Sequence, residues 1–158
     1  MKSFVLVSLL AVAVAGCPGC NDKAFPKAPP EGSEMSKAII EPYLKIESAL
    51  VDNNIDGLRA HAGDIATAAT ALGAPAMKID TAALQLAAAD NLVAARERFA
   101  ALSEAIDTYM TGLHLKAPEG VKVAFCPMLR KPWLQEGTTL ANPYYGTGDP
   151  MATCGDFR

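Results

Sequence analysis

Residues 92–113 read LVAARERFAALSEAIDTYMTGL and decide the helical character of the chain. Apolar residues of this stretch recur in alternating steps of three and four, at Leu92, Ala95, Phe99, Leu102, Ile106, Tyr109 and Leu113. This spacing lines one face of an α-helix, and Asp90 or Asn91 is placed to cap its first turn. The stretch therefore predicts one long amphipathic helix.

The same periodicity appears three more times upstream. A first helix is marked by Ile39, Tyr43, Ile46 and Leu50, with Pro42 inside it or at its first turn. A second helix fits residues 55–72 and stops at Gly73, and a third, shorter one follows to about residue 86. Four amphipathic helices joined by short turns predict a mainly α protein, with an up-and-down four-helix bundle over residues 34–113.

Polar residues on these helices give no catalytic or nucleic-acid-binding signature. The carboxylates mostly fall off the apolar stripes, so we expect solvated faces for Glu47, Asp56, Asp64, Glu97 and Glu104. No motif of a hydrolase, a metalloprotease, a phosphate loop or a dinucleotide fold occurs, which predicts that the protein is not an enzyme. With 14 basic and 17 acidic residues and no basic run, nucleic acid is not an expected partner.

The N-terminal residues have the pattern of a lipoprotein signal. Lys2 precedes an apolar run too short to span a bilayer, and the run ends in Val14-Ala15-Gly16-Cys17, the form of a bacterial lipobox. We expect residues 1–16 to be removed as a signal peptide, Cys17 to be lipidated, and residues 17–33 to form a flexible linker. This predicts a protein anchored in the bacterial cell envelope, facing the periplasm or the outside; an ordinary cleaved signal is the alternative.

Lipidation also removes one cysteine from the set of free thiols. A thioether at Cys17 has no thiolate, so the Cys17-Pro18-Gly19-Cys20 sequence is not read as a redox or metal pair. No role is assigned to Cys20. The two remaining cysteines, Cys126 and Cys154, become the natural pair.

Residues 114–158 predict a small irregular lobe rich in cysteine and methionine. Residues 121–125 alternate and favour a short strand or hairpin that ends at Cys126. Turn formers follow, and they allow the chain to bring Met151 and Cys154 beside Cys126 and Met128. His114, just past the fourth helix, is either a further ligand or a cation that complements the helix dipole.

Two interpretations of the lobe stay open on residue types alone. Thiolates and thioethers are soft ligands that suit Cu(I) or Ag(I), with Trp133, Tyr144 and Tyr145 as aromatic neighbours. Zinc fits less well, because methionine is a poor ligand for it. Alternatively, Cys126 and Cys154 form a disulfide, which would stabilise a loop of this length by roughly 3 to 4 kcal/mol.

The motifs of the lobe resemble one known family. The runs Cys126-Pro127-Met128, Trp133-Leu134-Gln135, Asn142-Pro143-Tyr144-Tyr145-Gly146 and Cys154-Gly155, and upstream Glu41-Pro42-Tyr43-Leu44-Lys45-Ile46, are similar to the domain-of-unknown-function family 3347. Its members occur as stand-alone exported proteins and as domains attached to periplasmic adaptor subunits of copper-silver efflux systems. The resemblance implies metal buffering or delivery, with an efflux system or another envelope protein as partner.

Overall fold

The computed structural model describes residues 29–158, a helical part followed by a small antiparallel sheet. Its elements are α1 (Lys37–Val51), α2 (Leu58–Leu72), a short 3-10 helix (Ala74–Ala76), α3 (Met77–Ala87), α4 (Leu92–Gly112), β1 (Val121–Cys126), β2 (Lys131–Glu136) and β3 (Asp156–Phe157). The prediction of a mainly α chain with a short strand or hairpin near its C-terminus is confirmed. The signal peptide, Cys17, Cys20 and most of the predicted linker lie outside the described residues.

The structure decides between the two alternatives for Pro42 and corrects one helix start. Helix α1 begins at Lys37 and continues through Pro42. The expected start of α2 at residue 55 is wrong, because the chain turns first: the Asp56 amide donates to Asn54 Oδ1, and Gly57 has φ +72°. A left-handed residue cannot continue a right-handed helix, so α2 begins only at Leu58. At α4, the Asn91 side chain accepts a hydrogen bond from the Ala94 amide and is the predicted cap.

The buried core joins α1, α4 and the sheet through aromatic rings. Each helix packs against the next one along the chain, and α4 also packs against β2. The Tyr43 ring of α1 stacks on Phe99 of α4 with ring centroids 4.8 Å apart. The Tyr43 hydroxyl is 2.7 Å from Ser103 Oγ and accepts a hydrogen bond from the Leu134 amide of β2. One buried side chain thus holds three elements together.

The three strands lie in the order β2-β1-β3, and both pairings are antiparallel. Cys126 pairs with Lys131 at the hairpin end, and Ala124 pairs with Phe157 on the other side of β1. The expectation that Cys126 ends a strand is confirmed. Pro132 lies in β2, which is an edge strand of this sheet, and an edge strand tolerates a residue without an amide hydrogen.

The described residues before α1 lie along the connection that follows α4. The Gly32 amide donates to the His114 carbonyl, and the Lys116 amide donates to the Ser33 carbonyl. The Met35 amide donates to the Lys116 carbonyl. The last residues of the predicted linker are therefore hydrogen-bonded to the folded part. Within residues 29–158, none of the helices combines the length and the apolar character needed to cross a bilayer.

Candidate functional site

Two free thiols form the centre of the candidate site. Cys126 is fully buried at the end of β1, and Cys154 is half-buried in the turn before β3. Their Sγ atoms are 3.8 Å apart, and neither cysteine is in a disulfide. The structure therefore brings together the two cysteines that the sequence singled out.

Strand pairing and one buried amide place Cys154 beside Cys126. Since β3 pairs with Ala124 and Phe125 of β1, the two residues before β3 arrive near the end of that strand. Asn142, which is fully buried, donates from Nδ2 to the Cys154 carbonyl at 2.7 Å. Its own backbone amide donates to the Ala152 carbonyl at 2.7 Å. Asn142 thus fixes the turn that carries the second thiol.

Gly155 allows this turn to lie against the indole of Trp133. A Cβ at position 155 would be 2.5 Å from Cη2 of Trp133 and 3.1 Å from the Phe125 carbonyl oxygen. Only a residue without a side chain permits so close an approach. The Cys154-Gly155 pair is therefore a packing requirement as well as a source of sulfur.

The electrostatics around the thiols follow from burial and from their closeness. Burial, then the hydrogen bond and the charge of Cys126, raise the pKa of the Cys154 thiol, while the Met128 backbone amide lowers it. Burial, followed by the two cysteines and Asp149, also raises the pKa of Tyr145. Tyr145 is thus an aromatic neighbour of the pair. The raised pKa keeps the Cys154 thiol protonated at neutral pH.

The other two predicted aromatic residues have packing roles. Trp133 is fully buried and donates from Nε1 to Gln135 Oε1 at 3.0 Å. Tyr144 meets it edge-on, with centroids 6.0 Å apart, and its hydroxyl donates to the Pro132 carbonyl. Burial raises the pKa of the Tyr144 phenol. Both rings are buried and pack against each other in the core of the lobe.

The methionines reach the pair through their backbones. The Met151 carbonyl accepts the Cys154 amide at 2.9 Å, and its side chain is half-buried. Met128 interacts with Cys154 through its backbone amide, while its side chain is 68% exposed. The Met128 side chain therefore lies at the surface.

His114 lies elsewhere in the fold. It is exposed, has φ +52° at the end of α4, and its carbonyl accepts the Gly32 amide. Within residues 29–158, no three side chains of His, Cys, Asp or Glu come together as a metal-holding group. The structure thus groups Cys126 with Cys154 and leaves His114 outside.

The sulfur separation fits either of two chemical states. Two thiolates on one ion, at the roughly 2.3 Å of a zinc–thiolate bond and a tetrahedral angle, lie about 3.8 Å apart. A disulfide requires about 2.05 Å, so oxidation would draw the sulfurs together by less than about 2 Å. The donor set is soft and fits Cu(I) or Ag(I) by residue type.

One buried carboxyl group was missed by the sequence interpretation. Glu47 was expected on a solvated face, which is wrong: its side chain is only 7% exposed. It is four residues after Tyr43 and three before Leu50, so the helical spacing itself placed it beside the apolar stripe. Glu104, another of the expected solvated carboxylates, is part-buried and pairs with Lys131 at 2.8 Å.

Comparisons with known proteins identify no relative of this chain. No protein-family model matches the chain, and no curated protein and no solved structure is significantly similar to it. The resemblance of its motifs to family 3347 stays a prediction.

Proposed function

We propose that the protein is a cell-envelope lipoprotein that binds one soft metal ion, Cu(I) or Ag(I), between Cys126 and Cys154. The observation that carries the proposal is the pair of free thiols with Sγ atoms 3.8 Å apart. Its role is buffering or delivering the ion, with an efflux system or another envelope protein as the recipient. The proposal includes no catalytic step.

The composition of the site supports a soft ion over a hard one. Both groups at its centre are thiols, and within the described residues no third His, Cys, Asp or Glu joins them. Hard cations such as Ca²⁺ take six or more oxygen ligands, whereas thiolate and thioether ligands select Cu(I). A bound Cu(I) would supply the positive charge that keeps both sulfurs as thiolates.

The surface position of the site supports exchange of the ion with a partner. The Met128 side chain is exposed directly after Pro127, and the Cys154 side chain is half-buried. Met151 and Met128 are the thioethers nearest to the pair along the chain. They are the proposed additional ligands.

The rest of the proposal concerns anchoring and architecture. In this proposal Cys17 carries the lipid, and the linker predicted over residues 17–33 joins it to the folded part. The four helices are an up-and-down bundle, an arrangement supported by the packing of each helix against the next and by their short connections.

A disulfide-stapled interaction module is the competing function. The 3.8 Å separation also allows a disulfide to form with a small movement. Export, as proposed, would place the thiols in an oxidising compartment. In that case the lobe is a rigid surface for an envelope partner, and no metal binds.

Anaerobic titration with Cu(I) separates the two functions. We expect the reduced, lipidated mature protein to bind one equivalent of Cu(I) more than a double variant with Cys126→Ser and Met151→Leu. Glu97→Gln, a change on an exposed part of α4, is the matched control and should bind as the wild type does. Equal copper content in wild type and double variant would reject the metal function.

A further inference from the structure

We propose that a cleft between α1 and β2 binds a primary ammonium group on a short aliphatic chain, with the Glu47 carboxylate as its partner. The site is independent of the thiol pair. The ammonium belongs either to a free alkylamine or to a lysine side chain of a partner protein, and the chemistry of recognition is the same for both.

The cleft has the size and walls for such a group. It encloses about 270 Å³ between Leu44, Glu47 and Val51 of α1 on one side and Glu136 and the following loop on the other. Aliphatic side chains flank carboxyl groups, and the cleft lining includes no Lys, Arg or His. The volume is below that of a typical drug-sized site, so a small ligand fits best.

Glu47 is a buried titratable group with no side-chain partner among residues 29–158. Among residues 29–158, four polar or charged side chains are buried, and the other three, Ser103, Gln135 and Asn142, are all hydrogen-bonded. Glu47 takes part in none of the side-chain hydrogen bonds or ion pairs of this part of the chain. Within residues 29–158, every fully buried side-chain nitrogen or oxygen has a hydrogen-bond partner. The Glu47 oxygens have none, so they are accessible to solvent and open onto the cleft that Glu47 lines.

The ionised form of Glu47 is unfavourable at this position unless a cation binds it. An ionised carboxylate at a buried position needs an opposite charge or hydrogen-bond donors. An ammonium supplies both, and the aliphatic chain behind it covers Leu44 and Val51. A hard metal ion fits less well, because the described residues offer no group of three acidic or histidine ligands.

Two neighbouring carboxylates favour a cation in the cleft, while Lys45 lines the adjoining groove, which shares Leu44, Ser48 and Glu136 with the cleft. Burial first, then the carboxylates of Asp52 and Glu136, raise the pKa of Glu47 to about 8. The Tyr43 phenol is the other titratable group that interacts with it, and no charged group of α2 or α4 is among the causes of its shift. At pH 7 the Glu47 carboxyl group therefore holds a proton, which an ammonium ion displaces when it binds.

The test is calorimetry of the reduced full-length protein with n-butylammonium chloride, run in buffers of different ionisation enthalpy. We expect binding to release nearly one proton per protein molecule at pH 7 and almost none at pH 9.5. Glu47→Gln should weaken binding at least about tenfold, and Glu136→Gln, at the rim, should weaken it less. Glu97→Gln is the matched control and should bind n-butylammonium as the wild type does. Neutral n-butanol, which carries no ammonium, should not bind.

Several outcomes overturn the proposal. These are equal affinity of wild type and Glu47→Gln, equal binding of n-butanol and n-butylammonium, or proton release that does not depend on pH. Glu136→Gln keeps the test informative if Glu47→Gln does not fold, because the proposal requires it to weaken n-butylammonium binding. Copper binding by Glu47→Gln should equal that of the wild type, so failure here is distinguishable from failure at the thiols.

A second ligand identifies the source of the ammonium. Nα-acetyl-lysine N-methylamide carries the same head group on a peptide unit. Binding as tight as that of n-butylammonium supports a lysine of a partner protein, and loss of binding supports a free alkylamine. Absence of binding by both ligands overturns the site.

Discussion

The Glu47 carboxyl group gives the fold a dependence on pH that one substitution removes. Its pKa is about 8 in the folded protein against an ordinary 4.5. The folded state therefore keeps a proton that the unfolded chain loses, and stability falls as pH rises from about 4.5 to about 8. Below this window both states are protonated, and the penalty is absent.

We predict that Glu47→Gln flattens this dependence. The variant should match the wild type near pH 4.5 and be more stable above pH 8, by at most about 5 kcal/mol. Urea unfolding at pH 4.5, 6 and 8.5 measures the difference, with Glu97→Gln as a control on an exposed part of α4. Parallel pH profiles for wild type and Glu47→Gln would mean that the carboxyl group is not buried in the folded protein.

Gly146 shows the same kind of local requirement in the backbone. It has φ +79°, and a Cβ there would meet the Arg96 guanidinium, lie 2.5 Å from Asn53 Oδ1 and lie 3.1 Å from the Leu50 carbonyl oxygen. Gly148 has a similar φ of +89° but open space around it. The two positions therefore separate backbone strain from a steric clash.

We predict that Gly146→Ala is more destabilising than Gly148→Ala by about 2 kcal/mol. Both variants pay for a left-handed alanine, and only the first must also displace the Arg96 side chain. Comparison of their unfolding free energies in urea is the measurement. Equal losses would show that the loop does not pack against Arg96.

At the scale of elements, Arg96 of α4 connects two other parts of the chain. Its guanidinium donates to the Leu50 carbonyl and Asn53 Oδ1 at the end of α1, and to the Pro143 carbonyl of the lobe. Burial lowers its pKa, and Asp149 partly offsets this. The planar fork reaches three acceptors, which an ammonium cannot do from one position.

We predict that Arg96→Lys destabilises the protein by about 2 kcal/mol, although it keeps the charge. Arg98→Lys is the matched control, since Arg98 makes one exposed hydrogen bond to the Gln85 carbonyl, and it should change stability by less than about 0.5 kcal/mol. Equal unfolding free energies for the two lysine variants would contradict the bridging role of Arg96.

The elements that follow from the sequence are those with a local cause. Periodicity predicts the helices because each carries its own apolar face, and Asn91 supplies its own cap to α4. Strand β3 has only two residues and depends on pairing with Ala124 and Phe125, which no local pattern encodes. The turn at Gly57 delays the start of α2 to Leu58, although the apolar spacing already begins at residue 55.

The site was predictable to the same extent. Turn residues between Cys126 and Cys154 indicate that the chain returns on itself, so the pairing of the thiols could be expected. The burial of Glu47 was missed because acidic residues are usually solvated, although its spacing placed it near the stripe. That burial results from β2 and the next loop closing over α1, which is tertiary information.

For the whole molecule, oxidation of the thiol pair is expected to alter stability. A bridge between Cys126 and Cys154 closes a loop across the whole sheet, from the end of β1 to the turn before β3. We predict that mild oxidation raises the free energy of unfolding by roughly 3 to 4 kcal/mol and abolishes copper binding. Cys154→Ser is the control, and its free energy of unfolding should not change on oxidation. An unchanged free energy of unfolding in the oxidised wild type would show that the two sulfurs do not form a bond.

The central claim is that one soft ion is held by both thiols, and X-ray absorption at the copper edge tests it most directly. The measurement uses the reduced, lipidated mature protein with Cys20→Ser and one equivalent of Cu(I), beside the same protein with Cys126→Ser and Cys154→Ser in addition. The account predicts a first shell of sulfur alone, with at least two sulfur atoms in the wild type and loss of that shell in the variant. A shell of oxygen or nitrogen in the wild type, or the same sulfur shell in both proteins, would contradict it.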